Sequence, residues 1–128
     1  LMKQLREGKK ELFIVDDKDG TPTFTHDFAI NVKALVEHEY WGLYNMVCGG
    51  QTSRLEVAGE LLKILGLSEK VKITTVSSDY FKDIYFAERP PSERLVNRKL
   101  ELRQLNLMQD WRVALRQYVD QYYSGYLN

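Results

Sequence analysis

Leu12-Phe13-Ile14-Val15, running into Asp16-Asp17-Lys18-Asp19-Gly20, is the stretch that sets the fold. Four consecutive apolar residues without polar alternation, three of them strong strand formers, read as a short strand buried on both faces. The stop has a local cause: Asp side chains bond their own backbone, and Gly accepts positive φ. A calcium loop would need a series of alternate carboxylates and a distal Glu, which this cluster lacks, so a turn is the simpler reading.

Upstream, residues 1 to 9 read as the tail of a helix with Leu1, Met2 and Leu5 on one side. Downstream of Pro22, Thr25 or His26 opens a helix with Asp27 in its first turn, where a carboxylate suits the dipole. Phe28, Val32, Leu35 and Val36 follow at i, i+4, i+7 and i+8 and predict its buried face. Leu43 to Val47 reads as a second strand, ended by Gly49-Gly50. Ser53 and Glu56 match a capping box, and Leu55, Ala58, Leu61, Leu62 and Leu65 form the stripe behind it, with Gly66 as the stop. Val71 to Val76 alternates like a half-buried strand. Residues 77 to 91 have no period and predict an irregular loop, with a short extended piece near Ile84-Tyr85-Phe86. Asn97 is placed to cap a short helix through Leu102. Asp110 is placed to cap a last helix with Trp111, Leu115, Tyr118, Val119 and Tyr122 on one face. Alternating helices and strands define an α/β domain. The expected architecture is a small mixed sheet of about three or four strands with flanking helices, and residues 1–128 form a single domain.

Composition narrows the function. The chain has 128 residues, 44% of them apolar, enough for one real core. Lys plus Arg and Asp plus Glu number 18 each, without a basic run, so neither nucleic acid nor a membrane surface is an expected partner. No stretch has the length of a membrane span. A single cysteine, Cys48, cannot make an internal disulfide, which fits a reducing, cytoplasmic setting. The chain opens at Leu1 inside an expected helix with no secretory signal, and reads as a piece of a longer protein.

Nucleophile and metal patterns are weak. Cys48 ends an apolar strand and reads as a small core residue. His26 and His38 have no helical partner for a metal, and none is expected. Gly49-Gly50-Gln51-Thr52-Ser53 leads into a helix but carries neither G-x-G-x-x-G nor a Walker pattern, so it reads as a turn and a cap. Arg89 is the stronger candidate: Pro90 restricts it to extended backbone angles, and a guanidinium on a stiff base can engage two phosphate oxygens. Tyr118, Tyr122, Tyr123 and Tyr126 could form a contact face, though their spacing also suits packing.

Four motifs then fall in order. Ala87-Glu88-Arg89-Pro90 with Ser92, Asn97 and Lys99-Leu100 is one, and Trp111-Arg112 with Ala114-Leu115 closes the series. The others are Gly20-Thr21-Pro22-Thr23-Phe24-Thr25 with Asp27-Phe28-Ala29, and Gly42-Leu43-Tyr44-Asn45 with Gly50, Thr52-Ser53, Glu56 and Ala58. Together they resemble the C-terminal lobe of the dTDP-4-dehydrorhamnose reductases, in the extended short-chain dehydrogenase/reductase superfamily. The resemblance covers nearly the whole chain. It implies a lobe that grips a dTDP-sugar against an N-terminal Rossmann half absent from these residues. Arg89 would face the substrate diphosphate, Pro22 and Thr23 would lie at the cleft, and Ser92 matches a pattern position. An Arg that related epimerases set before the acid matching Asp27 is Gly20 here. The Rossmann G-x-x-G-x-x-G and the catalytic Y-x-x-x-K are missing. The resemblance therefore implies no catalytic residue in this chain, and an NADPH or NADH site only in the full-length protein. Two other outcomes stay open: a non-catalytic regulatory subunit, as in the methionine adenosyltransferase partner that shares the fold, and the lobe of a nucleotide-sugar epimerase. Apolar surface bared toward the missing half is consistent with a homo-oligomer.

Overall fold

The computed structural model describes residues 1–84, 87 and 89–125. The strand expected at 12–15 forms as β1, Glu11–Val15, and pairs in parallel with β2, Lys72–Val76, from Glu11 opposite Lys72 to Val15 opposite Val76. Parallel neighbours need a crossover connection. Here it carries two helices, α2, Thr25–Glu37, and α3, Arg54–Ile64. A short α1, Met2–Arg6, precedes the sheet. A 3₁₀ turn, Ser78–Phe81, then α4, Arg98–Leu102, and α5, Trp111–Tyr122, follow it. Tyr85 and Phe86 of the expected extended piece, and Tyr126 of the tyrosine series, lie outside the described residues.

Helix α3 joins two cores. On one side Ala58 and Leu62 pack with Leu5, Leu12, Ile14 and Val71 beneath the sheet. On the other, Val57 meets Phe24, Cys48, Trp111 and Ala114. Each fully buried large aliphatic side chain contributes about 1.5–3 kcal/mol, so the apolar stripe outweighs any propensity term. The start of α3 is set by the predicted box: the Glu56 amide donates to Ser53 Oγ at 3.2 Å, and the Ser53 amide to Glu56 Oε2 at 3.1 Å. Gly66, at φ +65°, follows its end. Cys48 is the small core residue expected, and burial pushes its thiol up from the ordinary range.

Several local expectations change in the fold. Leu43–Val47 pairs with no strand among the described residues. A side chain stands in for the ladder instead: the Val47 amide donates to Asn97 Oδ1 at 2.9 Å, and Asn97 Nδ2 donates to the Val47 carbonyl at 2.7 Å. Asn97 is therefore a clamp; it precedes α4 but makes no side-chain cap there. The sheet is accordingly two parallel strands among the described residues, smaller than expected.

Helix α2 is rotated from its apolar pattern. Its buried residues are Asp27, Asn31 and Leu35, while Phe28, Val32 and Val36 are 44%, 37% and 52% exposed. The reason is the segment 105–109 lying along it. Asn31 Nδ2 donates to the Leu105 carbonyl, the Leu107 amide donates to Asn31 Oδ1 at 3.0 Å, and Gln109 Nε2 donates to Asp27 Oδ1 at 3.0 Å. Buried backbone groups without a ladder need such partners, and Asn31 faces inward to supply them. In α5, capped by Asp110 as expected, the inward residues are Trp111, Ala114 and Val119. Tyr118 and Tyr122 stand at the surface.

Candidate anion-accepting cleft

In parallel α/β units the chain turns back at the carboxyl ends of the strands, and ligands gather there. Here the loop after β1 and the 3₁₀ turn after β2 meet at that end. Asp17 Oδ2 accepts from the Ser78 amide at 2.9 Å and from its hydroxyl at 2.7 Å. The hydroxyl first, then the amide, hold the Asp17 carboxyl below its usual range. Phe13 stacks on Tyr80 with centroids 5.4 Å apart, closing the same corner.

Asp19, Gly20 and Thr21 are pinned by two neighbouring segments. The Asp19 amide donates to the Pro91 carbonyl and the Glu93 amide to the Asp19 carbonyl, both at 2.9 Å. The Gly20 amide donates to the Thr52 carbonyl at 3.0 Å, and Thr21 Oγ1 to the Gly50 carbonyl at 2.9 Å. Gly50 is required where it stands: φ is +86°, and a Cβ would fall 2.8 Å from Asp110 Oδ2 and 2.9 Å from Trp111 Cδ1. These crossings enclose a cleft of about 570 Å³ between the sheet end and the start of α3.

Its charges come from four residues, Lys18, Asp19, Arg54 and Glu93. Both acids are matched by arginines outside the lining: Arg94 lies 3.6 Å from Asp19, and Arg89 lies 3.4 Å from Glu93. Lys18 and Arg54 make no ion pair among the described residues, although the Lys18 charge also helps to lower the neighbouring Asp17 carboxyl. The cleft thus favours an anion, and its Phe13, Val15 and Phe81 walls suit an apolar or ring-bearing remainder.

Of the residues singled out in the sequence, Pro22 lines this cleft. Arg89 stands at the rim: its carbonyl accepts from Lys18 Nζ at 2.7 Å, and its outward side chain, 63% exposed, pairs with Glu93. Ser92 lies beside Asp19, its hydroxyl accepting from Arg94 Nε at 3.1 Å. Thr23 faces a neighbouring hollow of about 310 Å³ against Trp111 and Tyr118. Sequence reasoning missed Lys18, hidden in an acidic turn, and Arg54. The one signal for Arg54 was its sign, since a cation opposes the dipole at a helix start. A dinucleotide seat does not fit the described residues, because the Gly49-Gly50 turn follows no strand.

One consequence concerns acid. A carboxyl whose folded pKa is depressed stabilises the fold above its ordinary value, and that contribution is lost as pH falls through the lowered value. Asp17→Asn should therefore lower the Tm at pH 6, and the gap to the unmodified chain should close below about pH 3.9, the ordinary aspartate value. Thermal unfolding across pH 2 to 7 checks this; a gap that persists in acid would assign the tie at Ser78 to something other than charge.

The fold is a small parallel α/β lobe with a cleft lined by Lys18, Asp19, Arg54 and Glu93 at its strand ends. The chain belongs to the RmlD substrate binding domain family, whose model matches residues 1–124. It is similar to the spore coat polysaccharide biosynthesis protein SpsK of Bacillus subtilis, 31% identical over 120 residues, or 94% of this chain and 40% of that protein. It is 30% identical over 78 residues to a dTDP-4-keto-6-deoxy-D-glucose reductase of Streptomyces niveus, covering 61% of this chain and 27% of that protein. Among solved structures, it superposes on a dTDP-4-dehydrorhamnose reductase of Clostridium acetobutylicum with a TM-score of 0.87 and 30% identity, over 96% of this chain and 42% of that one. A Bacillus anthracis dTDP-4-dehydrorhamnose reductase solved with NADP shares the fold at a TM-score of 0.80 and 23% identity, over 94% of this chain and 41% of that one. The chain spans about 40% of the length of SpsK and of these solved reductases.

Proposed function

We propose that this chain is the nucleotide-sugar-binding lobe of an NADPH-dependent dTDP-4-dehydrorhamnose reductase, inactive by itself. The observation that carries the reading is the cleft's charge balance: two acids paired with arginines outside the lining, and two lining cations, Lys18 and Arg54, without an ion pair among the described residues. A nucleoside diphosphate sugar has the matching chemistry, two negative phosphates between ring systems. Arg89 and Ser92 would frame the rim, with Pro22 and Thr23 at the turn beneath. Hydride delivery, the proton donor and the NADPH seat belong to a Rossmann half. The exposed stripe of Phe28, Val32 and Val36 supports such a partner, or self-association in its absence. No helix among the described residues is long and apolar enough to cross a membrane. The buried, unpaired Cys48 thiol supports a reducing cytoplasm.

The test is a titration of the chain with dTDP and, separately, with thymidine, followed by amide NMR signals. We expect dTDP to shift Lys18 to Thr21 at millimolar affinity, because contacts from the other half are missing. Thymidine should shift them far less, and Arg89→Ala should weaken the dTDP response. Silence of the cleft signals up to about 10 mM dTDP, an affinity worth under about 3 kcal/mol, would remove the reading.

A further inference from the structure

We infer that Arg54 is the residue that anchors the ligand's phosphate inside the cleft, a role that rests on the reading of this cleft as an anion site. Three independent observations converge on it. First, Arg54 lines the cavity, whereas the guanidinium of Arg89 is engaged with Glu93 and that of Arg94 with Asp19 and Gln51. Second, the Arg54 side chain makes no ion pair or hydrogen bond among the described residues, while Lys18 already donates to the Arg89 carbonyl. A guanidinium presents five donors in a flat fork suited to two phosphate oxygens, and here all five are uncommitted. Third, Arg54 is the first residue of α3, directly after the Ser53 cap. A cation there repels the partial positive charge of the helix start, so local energetics disfavour it. Residues that break a local rule without a folded-state gain are expected at sites of function. A bound phosphate would offset both charges at once.

Glu56, in the same first turn, accepts from the Ser53 amide and makes no ion pair with Arg54 among the described residues. Lys18, reaching in from the loop after β1, supplies the second cation that a diphosphate calls for. Arg54 is therefore the positioning contact for the charged middle of the ligand, and the apolar walls are left for its ring-bearing ends.

The experiment is an NMR titration of the chain with inorganic pyrophosphate and with dTDP at low salt, comparing Arg54→Gln, Arg54→Lys and Arg98→Gln. Arg98 lies in a separate hollow with Leu43 and Leu102 and serves as the control. Arg54→Gln should weaken both ligands by about tenfold or more, the loss expected when a charge-assisted pair is removed. Arg54→Lys should keep part of the affinity, and Arg98→Gln should match the unmodified chain. The Arg54 side-chain Nε–H signal should move with pyrophosphate. Without ligand, Arg54→Gln should unfold at the same or a slightly higher temperature, because an unfavourable charge is gone. Pyrophosphate and dTDP binding Arg54→Gln within twofold of the unmodified chain would overturn the assignment, and so would a drop in the ligand-free Tm. The two readings fail differently. If dTDP binds but ignores Arg54→Gln, the anchor falls and the nucleotide-sugar lobe stands. If pyrophosphate depends on Arg54 while dTDP binds no better than pyrophosphate, the anchor stands and the nucleotide reading falls.

Discussion

Trp111→Ala should lower the unfolding free energy by about 3–5 kcal/mol, the largest loss expected from any single truncation in this chain. Trp111 is 1% exposed and the largest fully buried side chain. Its ring packs with Phe24, Cys48 and Ala114, lies under the Gly50 backbone, and carries the Arg112 guanidinium 4.4 Å from the ring centre. Truncation would leave a void among groups that have no freedom to close it: Gly50 is fixed by its positive φ, and Phe24 by the helix that starts after it. With a net stability of about 5–15 kcal/mol for a domain of this size, the loss takes a large share. A Tm decrease of roughly 10–20 °C is the readout. The indole Nε1 is buried without a hydrogen-bond partner among the described residues, so the loss comes from packing and from the Arg112 contact, not from a hydrogen bond. Trp111→Phe, which keeps one aromatic ring and loses the rest of the indole with its unpaired donor, should cost less than half as much. Equal losses for the two substitutions would contradict a packing origin. Because Trp111 also backs the Pro22–Thr25 turn, Trp111→Ala should loosen that wall of the cleft as well.

Asn97→Ala should cost about 3 kcal/mol, although it deletes only an amide. Asn97 is buried and makes three hydrogen bonds: two to the Val47 backbone and one, at 3.1 Å, to Asn106 Oδ1. Removing it leaves the Val47 amide and carbonyl without partners, and each unpaired buried group costs about 1–3 kcal/mol. Hydrogen exchange at the Val47 amide should accelerate more than exchange in β1, which marks the change as local. Asn97→Asp separates donor from acceptor: it keeps an oxygen for the Val47 amide but turns a carboxylate toward its carbonyl. It should therefore be no better tolerated than Ala. If Asn97→Ala unfolds within about 0.5 kcal/mol of the unmodified chain, the ordinary range for a surface change, the clamp has no energetic role.

How much was legible follows from the range of each interaction. The capping box of Ser53 and Glu56, the Asp110 cap and the position of the β1 strand with its stop are written within a few residues and formed as read, but β1 is not buried on both faces: Phe13 is 43% exposed and stacks on Tyr80 at the surface, because the sheet has only two strands among the described residues. The α3 stripe also formed, because a continuous apolar row faces the core whatever packs on it. Helix α2 did not follow its row, because Asn31 answers to backbone groups at Leu105 and Leu107, more than seventy positions away. No periodicity carries that information. The same holds for Asn97, which resembles a helix cap in sequence and is a clamp on Val47 in space.

The cleft divides in the same way. The motif order around Pro22, Arg89, Ser92 and Trp111 was enough to mark the family, and the family model now covers residues 1–124. The charges inside the cleft were not legible, because neutralisation is a matter of distance. Asp19 is matched by Arg94 and Glu93 by Arg89 only once the 91–94 segment crosses the loop after β1.

By itself, then, the sequence determined the α/β class, the ends of its elements and the family, all of which rest on short-range chemistry or on motif order. The tertiary structure alone decided which face of α2 turns inward, what replaces a ladder at Val47, and which two cations stay unmatched. Each of those depends on partners brought together from distant parts of the chain, where burial makes an unpaired polar group costly and proximity decides which charges cancel.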